Sequence, residues 1–402
     1  MITPDRPQRH GALIVVLAML TALAPFSMDI YTPSLPRIEA DLGGPDWAVQ
    51  ASITACLLGI GIGQLFFGPL SDRFGRRRVI LVGVAGWTLL SIASALVPSV
   101  LLLVVARGFA GLLGSAGIVV ARSVVRDISD TPRLVGGRIA LLSTVSGVAP
   151  ILAPTVGAAV AGAWGWRADF VTLAALGILV MIGVVAFVPE TLTRESRHAS
   201  VPVLRSLGVA LNDAELRNVA LSLGLQAFGF YAYIATSSFV VEREFGYSPA
   251  AFALVFGTNA AAIVSMNILF RRLVRTRHPR ALLRIGYLAT LVGGFGLASG
   301  AALHAPVGVL WGATILFTAG IGFVLPGAHS WGQLTRPASG ASSALTGAAQ
   351  FLGGVLGSPV TGLIGPTALS LGIIIALASA LALLAWGFAA RARIRPATGT
   401  SE

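Results

Sequence analysis

The sequence predicts an all-α membrane protein with twelve transmembrane helices in two pseudo-symmetric bundles of six. Of its 402 residues, 55% are hydrophobic and only 11% are charged, whereas soluble domains carry roughly 25% charged residues. Uncharged apolar runs recur along the whole chain, and each can cross a bilayer core as a helix of about 20 residues. The 48 glycines agree with this class, because small residues let membrane helices approach closely.

Twelve apolar runs, separated by short polar segments, define the predicted spans. They cover residues 11–31, 47–68, 79–97, 100–121, 138–162, 169–188, 217–240, 250–270, 282–303, 307–328, 340–364 and 367–390. The first run follows Arg6 and Arg9 and contains Ala22-Leu23-Ala24, a pattern that also occurs in cleaved signal peptides. Its length and the spans that follow favour an uncleaved first helix.

The arginines predict the orientation of the chain. With the N-terminus placed in the cytoplasm, they concentrate in cytoplasmic loops and tails, and only Arg37, Arg107, Arg167 and Arg243 fall elsewhere. This asymmetry is the pattern of the positive-inside rule. It predicts both termini in the cytoplasm, and it explains the net charge of +12 without nucleic-acid binding.

The longest hydrophilic loop divides the chain into two similar halves. Residues 1–193 form the predicted N-terminal bundle, 194–216 a cytoplasmic linker and 217–402 the C-terminal bundle. Features that recur about 200 residues apart are an arginine cluster, at 73–78 and 271–277, and a Gly-rich helix, at 147–157 and 353–359. Internal repeats are typical of secondary transporters, although two unrelated Gly-rich helices would look the same.

Missing residue types exclude several chemistries. All 28 basic residues are arginine, which excludes a P-loop for ATP and a Schiff-base lysine within this chain. Cys56 is the single cysteine, and the five histidines fall in or near loops or the N-terminal tail without metal-ligand spacing. We therefore expect neither an enzyme nor a metal site.

The segment after the second span carries the most specific motif in the chain. This loop reads Gly68-Pro-Leu-Ser-Asp72-Arg73-Phe-Gly75-Arg76-Arg77-Arg78. Ordinary positive-inside arginines explain neither the aspartate nor the two glycines. The segment resembles the signature of the major facilitator superfamily between helices two and three, which has the form Gly-x-x-x-Asp-Arg-x-Gly-Arg-Arg.

Further motifs narrow the resemblance to one branch of that family. The first span ends in Asp29-Ile-Tyr-Thr-Pro-Ser-Leu-Pro36, the fourth ends in Arg126-Asp127, and the fifth carries Pro150, Pro154 and Gly157. Together they resemble the drug:proton antiporters of the bicyclomycin and chloramphenicol resistance (Bcr/CflA) group, over the whole chain. Two positions depart from the pattern: Ala153 and Ala110 stand where that group usually has Gly and Gln.

The resemblance implies a secondary transporter that exports small amphipathic compounds, such as antibiotics, in exchange for protons. It implies two bundles with alternating access, no cofactor besides the proton gradient, and a monomer in the bacterial cytoplasmic membrane. The alternative is the same fold used for uptake of a small nutrient such as a sugar or polyol. An integral membrane enzyme is disfavoured, because no cluster of acids, histidines or cysteines supports one.

Asp29 and Arg107 are the predicted proton-coupling residues. Asp29 is the one acid within a predicted span, where an ionisable group is costly and usually functional. Arg107 lies inside the fourth span and must find an anion or water, because a guanidinium is not readily neutralised; Asp29 is its expected partner. The structural alternatives are a solvated acid at the membrane surface and an arginine bonded to backbone carbonyls.

A conformational gate is expected at the cytoplasmic end of the second span. Asp72 is expected near the start of span eleven, around Ser339–Ser342, where free N–H groups favour a carboxylate, and Arg76 is expected to reach Asp127. These contacts would form when the transporter opens outward. The predicted gate residues are Gly68, Asp72, Arg73, Gly75, Arg76 and Asp127.

Two further sets of residues lie inside the spans. Pro150, Pro154 and Gly157 form the antiporter-helix motif, in which proline bends a helix and glycine permits close packing. The predicted substrate-binding residues are polar or aromatic side chains of the C-terminal half: Gln226, Phe230, Tyr233, Asn259 and Gln350. Interhelical hydrogen bonds would explain the polar members equally well.

Overall fold

Helices make up the regular structure of the protein. The computed structural model describes residues 7–43, 46–192, 203–247, 249–335 and 339–392, and within these ranges no strand occurs. The α-helices in chain order are α1 (Pro7–Asp29), α2 (Leu35–Leu42), α3 (Asp46–Phe74), α4 (Arg76–Leu96), α5 (Val100–Asp127), α6 (Pro132–Trp164), α7 (Arg167–Phe187), α8 (Val203–Asn212), α9 (Ala214–Ser238), α10 (Pro249–Leu273), α11 (Pro279–Ala302), α12 (Val307–Gln333), α13 (Ser339–Ile364) and α14 (Ala368–Ala392). The predicted all-α class is therefore confirmed.

The predicted spans correspond to the long helices. In the described part of the chain, eleven helices are long and apolar enough to cross a membrane: α1, α3 to α7, α9 to α12 and α14. The remaining predicted span is α13, which is 26 residues long; its side chains at 358, 359 and 361–363 lie outside the described set. Two short helices, α2 and α8, lie where the hydropathy pattern predicted connecting segments.

The motif at Gly68–Arg78 is helical on both sides of one glycine, so the prediction of a loop is wrong. α3 continues to Phe74, and α4 begins at Arg76. Gly75 between them has a φ of 99°, a conformation that glycine adopts without steric cost. Hydropathy marks where a helix leaves the bilayer, whereas the backbone hydrogen bonds of the helix continue through charged residues.

By its internal packing the chain forms two compact units. Unit 1 contains the described residues of Met1–Asp130, Leu141–Val203 and Ala338–Ala344. Unit 2 contains those of Thr131–Ala140, Leu204–Pro337 and Leu345–Glu402. The predicted halves were contiguous along the chain, whereas the start of α6 belongs to unit 2 and the start of α13 belongs to unit 1.

Glycines allow the helices of unit 1 to pack closely. A Cβ atom at Gly59 of α3 or at Gly111 of α5 would overlap the backbone of the facing helix. Trp87 of α4 is buried and occupies the space beside Gly114 and Gly177. Dispersion contacts between closely approaching helices drive such packing in membranes, where lipid removes the hydrophobic advantage of burial.

Unit 2 has its own buried clusters. One is built around Tyr233, Phe317 and Ile375, and another around Tyr287 and Trp331. The start of α6 joins a third small cluster, in which Ala140 packs with residues of α10, α11 and α12. These apolar contacts explain why the first residues of α6 belong to this unit.

Candidate functional site

Arg107 is held by the end of α1. Its guanidinium is fully buried in unit 1, and Nη2 donates hydrogen bonds to the carbonyl oxygen and the hydroxyl of Ser27. The thiol of Cys56 lies 3.5 Å from the same nitrogen. Ser27 sits in the last turn of α1, where carbonyl groups lack helical partners, so the arginine satisfies one of these carbonyls.

Aromatic rings enclose the same guanidinium. Its carbon lies 5.4 Å from the ring centroid of Tyr31 and 5.6 Å from that of Phe170, within the range of cation–π attraction. The Tyr31 hydroxyl is 3.0 Å from the hydroxyl of Ser52. Backbone oxygen, hydroxyl and π-electrons thus stabilise the cation without a carboxylate.

Asp29 is not the ion-pair partner of Arg107, contrary to expectation. The ion pairs found among the described residues are Arg76–Asp72, Arg76–Asp127 and Arg167–Asp41. Asp29 is the last residue of α1 and is partly exposed. The carbonyl of Ser27, two residues before Asp29 on α1, accepts the hydrogen bond of Arg107 that the Asp29 carboxylate was expected to accept.

The gate motif converges on the buried Arg76. Its Nη2 contacts Asp72 Oδ1 at 2.6 Å, and its Nε donates to Asp127 Oδ2 at 2.9 Å. The backbone N–H of Arg76 donates to Glu190 Oε1 at 2.9 Å, and Thr191 donates to Asp127 Oδ2 at 2.8 Å. The expected contact of Arg76 with Asp127 is present, whereas Glu190 and Thr191 were not predicted.

The expected contact with the start of α13 is present as well. The backbone N–H of Gly340 donates to Asp72 Oδ1 at 3.3 Å. A Cβ atom at Gly68 would overlap the carbonyl of Gly340, so both glycines are required for this approach. Arg73 does not join the cluster, because it is exposed and lies over the ring of Phe74 at 5.4 Å.

The antiporter-helix motif packs on the end of α1. A Cβ atom at Gly157 of α6 would overlap the carbonyl oxygen of Ile30, the residue that follows Asp29. Pro154 is partly buried, and the side chain of Pro150 lies outside the described set. The predicted close packing by glycine therefore occurs at Gly157.

The predicted substrate residues form two groups in unit 2. The first is engaged by neighbouring helices: Gln226 bonds Ser379 and Thr290, while Asn259 donates to the Tyr233 hydroxyl at 2.6 Å. Gln226, Asn259 and Tyr233 are buried. Phe230 and Gln350 form the second group: each keeps part of its surface exposed, and Gln350 Oε1 also lies 2.8 Å from Nε2 of His329.

Comparison with known proteins decides the family. Residues 17–358 match the family model described as Major Facilitator Superfamily. The chain belongs to this superfamily. This member is 33% identical over 380 residues to the uncharacterized MFS-type transporter YdgK of Bacillus subtilis, covering 93% of this chain and 94% of that protein. It is 27% identical over 289 residues to the bicyclomycin resistance protein homolog of Haemophilus influenzae, covering 71% and 72% of the two chains.

A solved structure confirms the major facilitator fold. The proton:xylose symporter XylE bound to 6-bromo-6-deoxy-D-glucose matches with a TM-score of 0.80, covering 96% of each chain at 16% identity. At this identity the similarity concerns the fold alone. The resemblance to the bicyclomycin-resistance group, first indicated by the motifs, is confirmed by the sequence relatives.

Three polar features of this superfamily member were missed by sequence reasoning. The buried Arg122 donates to Gln64 Oε1 at 2.8 Å. His329, expected in or near a loop, is buried within α12, with Nε2 2.8 Å from Gln350 Oε1. Asp169 is buried at the start of α7. Each polar residue lies near the end of an apolar run, so hydropathy alone assigned it to the membrane surface.

The end of unit 1 that contains the start of α7 also carries an exposed ion pair. Arg167 bonds Asp41, and the indole N–H of Trp166 donates to the same carboxylate oxygen at 3.0 Å. The hydrogen bond from Arg167, followed by that from Trp166, lowers the pKa of Asp41. Asp41 therefore keeps its charge to a lower pH than an isolated aspartate does.

Proposed function

We propose that the protein exports small amphipathic compounds, such as antibiotics, from the cytoplasm in exchange for protons. The observation that carries this proposal is the position of Asp29, a partly exposed acid whose next residue, Ile30, packs against Gly157 of the antiporter-type helix α6. A proton bound to this acid changes the charge beside this close contact of α6. The name of the bicyclomycin resistance relative supports an antibiotic as substrate.

In the proposed cycle Asp29 takes up a proton on the outer side and releases it on the inner side. Arg107 acts as a positioning residue, because its bonds to Ser27 tie the end of α1 to α5. Arg107 forms no ion pair with Asp29 among the described residues, which leaves Asp29 free to exchange its proton. A tight ion pair would instead stabilise the charged form and hinder this exchange.

We assign the cluster around Arg76 to the gate on the cytoplasmic side. Asp72 holds the start of α13 through the N–H of Gly340, and release of this contact accompanies opening towards the cytoplasm. A few such bonds suffice, since they need only bias two states of similar free energy. Gly68 and Gly75 permit the approach and the turn, and the exposed Arg73 supplies charge at the cytoplasmic surface.

For the substrate, the proposed contacts are Phe230 and Gln350, which retain exposed surface. Gln226, Tyr233 and Asn259 hold the surrounding helices together by their hydrogen bonds. Apolar surface with a few polar groups suits a drug-sized ligand. The proposed setting is a monomer in the bacterial cytoplasmic membrane, with both termini in the cytoplasm and the proton gradient as the energy source.

A susceptibility panel tests the proposed function. A strain that lacks its own pumps is made to express the protein and is exposed to amphipathic antibiotics with and without a protonophore. We expect raised inhibitory concentrations that fall to the level of the empty-vector strain when the protonophore is present. No protection against any compound, together with new growth on a sugar or polyol, would instead identify an uptake permease.

A further inference from the structure

One acid of unit 1 has less exposed surface than the proposed proton site. Asp169, in the first turn of α7, has 0% of its surface exposed and is the only carboxylate buried to this degree among the described residues. Asp29, by contrast, is partly exposed. The proposed cycle gives Asp169 no role.

The two oxygens of Asp169 have different surroundings. Oδ2 accepts a hydrogen bond from the hydroxyl of Ser34 at 2.7 Å. Oδ1 is buried and has no hydrogen-bond partner within the described part of the chain. An ionised carboxylate in an apolar environment needs donors or a cation at both oxygens, whereas a neutral carboxyl group has no charge to compensate.

The cation that acts on Asp169 is bonded to another group. Arg37 of α2 is the charged residue whose electrostatic influence reaches Asp169. Its Nη1, however, donates to the carbonyl oxygen of Ala161 at 3.0 Å, a carbonyl near the end of α6 that also accepts from the backbone N–H of Gly165. Arg37 is exposed, so its side chain has room to turn from this carbonyl towards a charged Asp169.

The other charged groups near this carboxyl group also have partners. Arg167, two residues earlier on α7, is paired with the exposed Asp41. Arg107 of α5 lies over the ring of the neighbouring Phe170 and is bonded to α1. No ion pair reaches Asp169 among the described residues, which leaves a proton as the group that neutralises it.

We infer that Asp169 binds a proton at Oδ1 and is a second proton-binding site of the transporter, in addition to Asp29. The proton comes from water on the outer side and returns to water when it is released. The carboxylate that remains attracts Arg37 away from Ala161, so the contact of α2 with the end of α6 changes with protonation. Proton binding by Asp169 does not depend on the proposed function, whereas the contribution of Asp169 to proton exchange rests on the proposed function.

Infrared difference spectroscopy on the purified full-length protein tests proton binding without any substrate. Spectra recorded at acidic and alkaline pH report the carbonyl stretch of protonated carboxyl groups. We expect one component of this band to be missing in Asp169→Asn and present in the parent and in Asp130→Asn, an exposed acid after the end of α5. The amide of asparagine still accepts the Ser34 hydrogen bond, and Asp169→Glu restores the band if the fold is kept.

Proton counting in proteoliposomes then tests the role in exchange. With an exported antibiotic as substrate, the number of protons per substrate is expected to fall by about one in Asp169→Asn and to stay unchanged in Asp130→Asn. If the parent protein shows the infrared component but exports no antibiotic, the proposed function is contradicted and the proton site at Asp169 is retained. Identical carboxyl bands in the parent and in Asp169→Asn overturn the inference.

Discussion

Arg76 and Arg107 are buried guanidinium groups that are stabilised in different ways. Arg76 lies between two carboxylates, Asp72 and Asp127. Arg107 instead donates hydrogen bonds to the carbonyl and the hydroxyl of Ser27 and lies against two aromatic rings. The ion pairs of Arg76 can break when the carboxylates of Asp72 and Asp127 move. The hydrogen bonds of Arg107 instead fix the end of α1, as expected of a positioning residue.

Removal of Arg76 is predicted to destabilise unit 1. Arg76→Ala leaves the carboxylates of Asp72 and Asp127 partly buried without their cation, and the loss of one partner of such a pair costs about 3–5 kcal/mol. Thermal unfolding of the purified protein in detergent measures the effect. Arg78→Ala, at an exposed position two residues later, is the matched control and is expected to change stability by about 0.5 kcal/mol or less. Equal unfolding temperatures for the two variants would contradict this assignment.

At the residue scale the sequence predicts the contacts of the Gly68–Arg78 motif better than the partner of an isolated charged residue. The pairing of Arg76 with Asp127 follows from a motif of opposite charges, and it is present. The predicted partner of Arg107 was Asp29, the charged side chain that the sequence offers. The sequence does not show which backbone carbonyls at the end of α1 lack a helical partner. Asp169 and His329 were missed because their burial depends on which neighbouring helices cover the ends of α7 and α12.

At the element scale, α6 depends on a glycine that faces α1. Gly157 leaves no room for a side chain against the carbonyl of Ile30, whereas a methyl group at Gly162, on the same helix, would have no atom within 4 Å. The hydropathy pattern placed the long helices correctly but not their ends. α6 begins at Pro132 and not at 138, because arginines at its start do not interrupt helical hydrogen bonds.

Gly157→Ala is predicted to impair transport much more than Gly162→Ala. The methyl group at 157 must push α6 away from α1 and disturb the segment that follows Asp29. The methyl group at 162 meets open space, and alanine in a helix is favoured over glycine by roughly 1 kcal/mol. Export assays on equal amounts of membrane-inserted protein compare the two. Equal activity in both variants would show that this contact is dispensable.

At the scale of the whole molecule, the fold could be predicted from the sequence almost completely. Recurrent apolar runs identify the long helices, and a single motif identifies the superfamily, as the match over residues 17–358 confirms. Each unit nevertheless incorporates a helix start from the other half of the chain. Contiguous domain boundaries drawn from the hydrophilic linker could not reveal this exchange, because it depends on packing between residues far apart in sequence.

Transport driven by an imposed pH gradient tests the central claim, that Asp29 couples proton flow to export. Inverted membrane vesicles, acidified inside, are given an amphipathic antibiotic that the parent exports. The parent is predicted to accumulate the compound and to lose it when a protonophore is added. Asp29→Asn is predicted to show no gradient-driven accumulation, because an amide cannot carry a proton, while Asp41→Asn behaves like the parent. Full accumulation by Asp29→Asn under the same gradient would contradict the account.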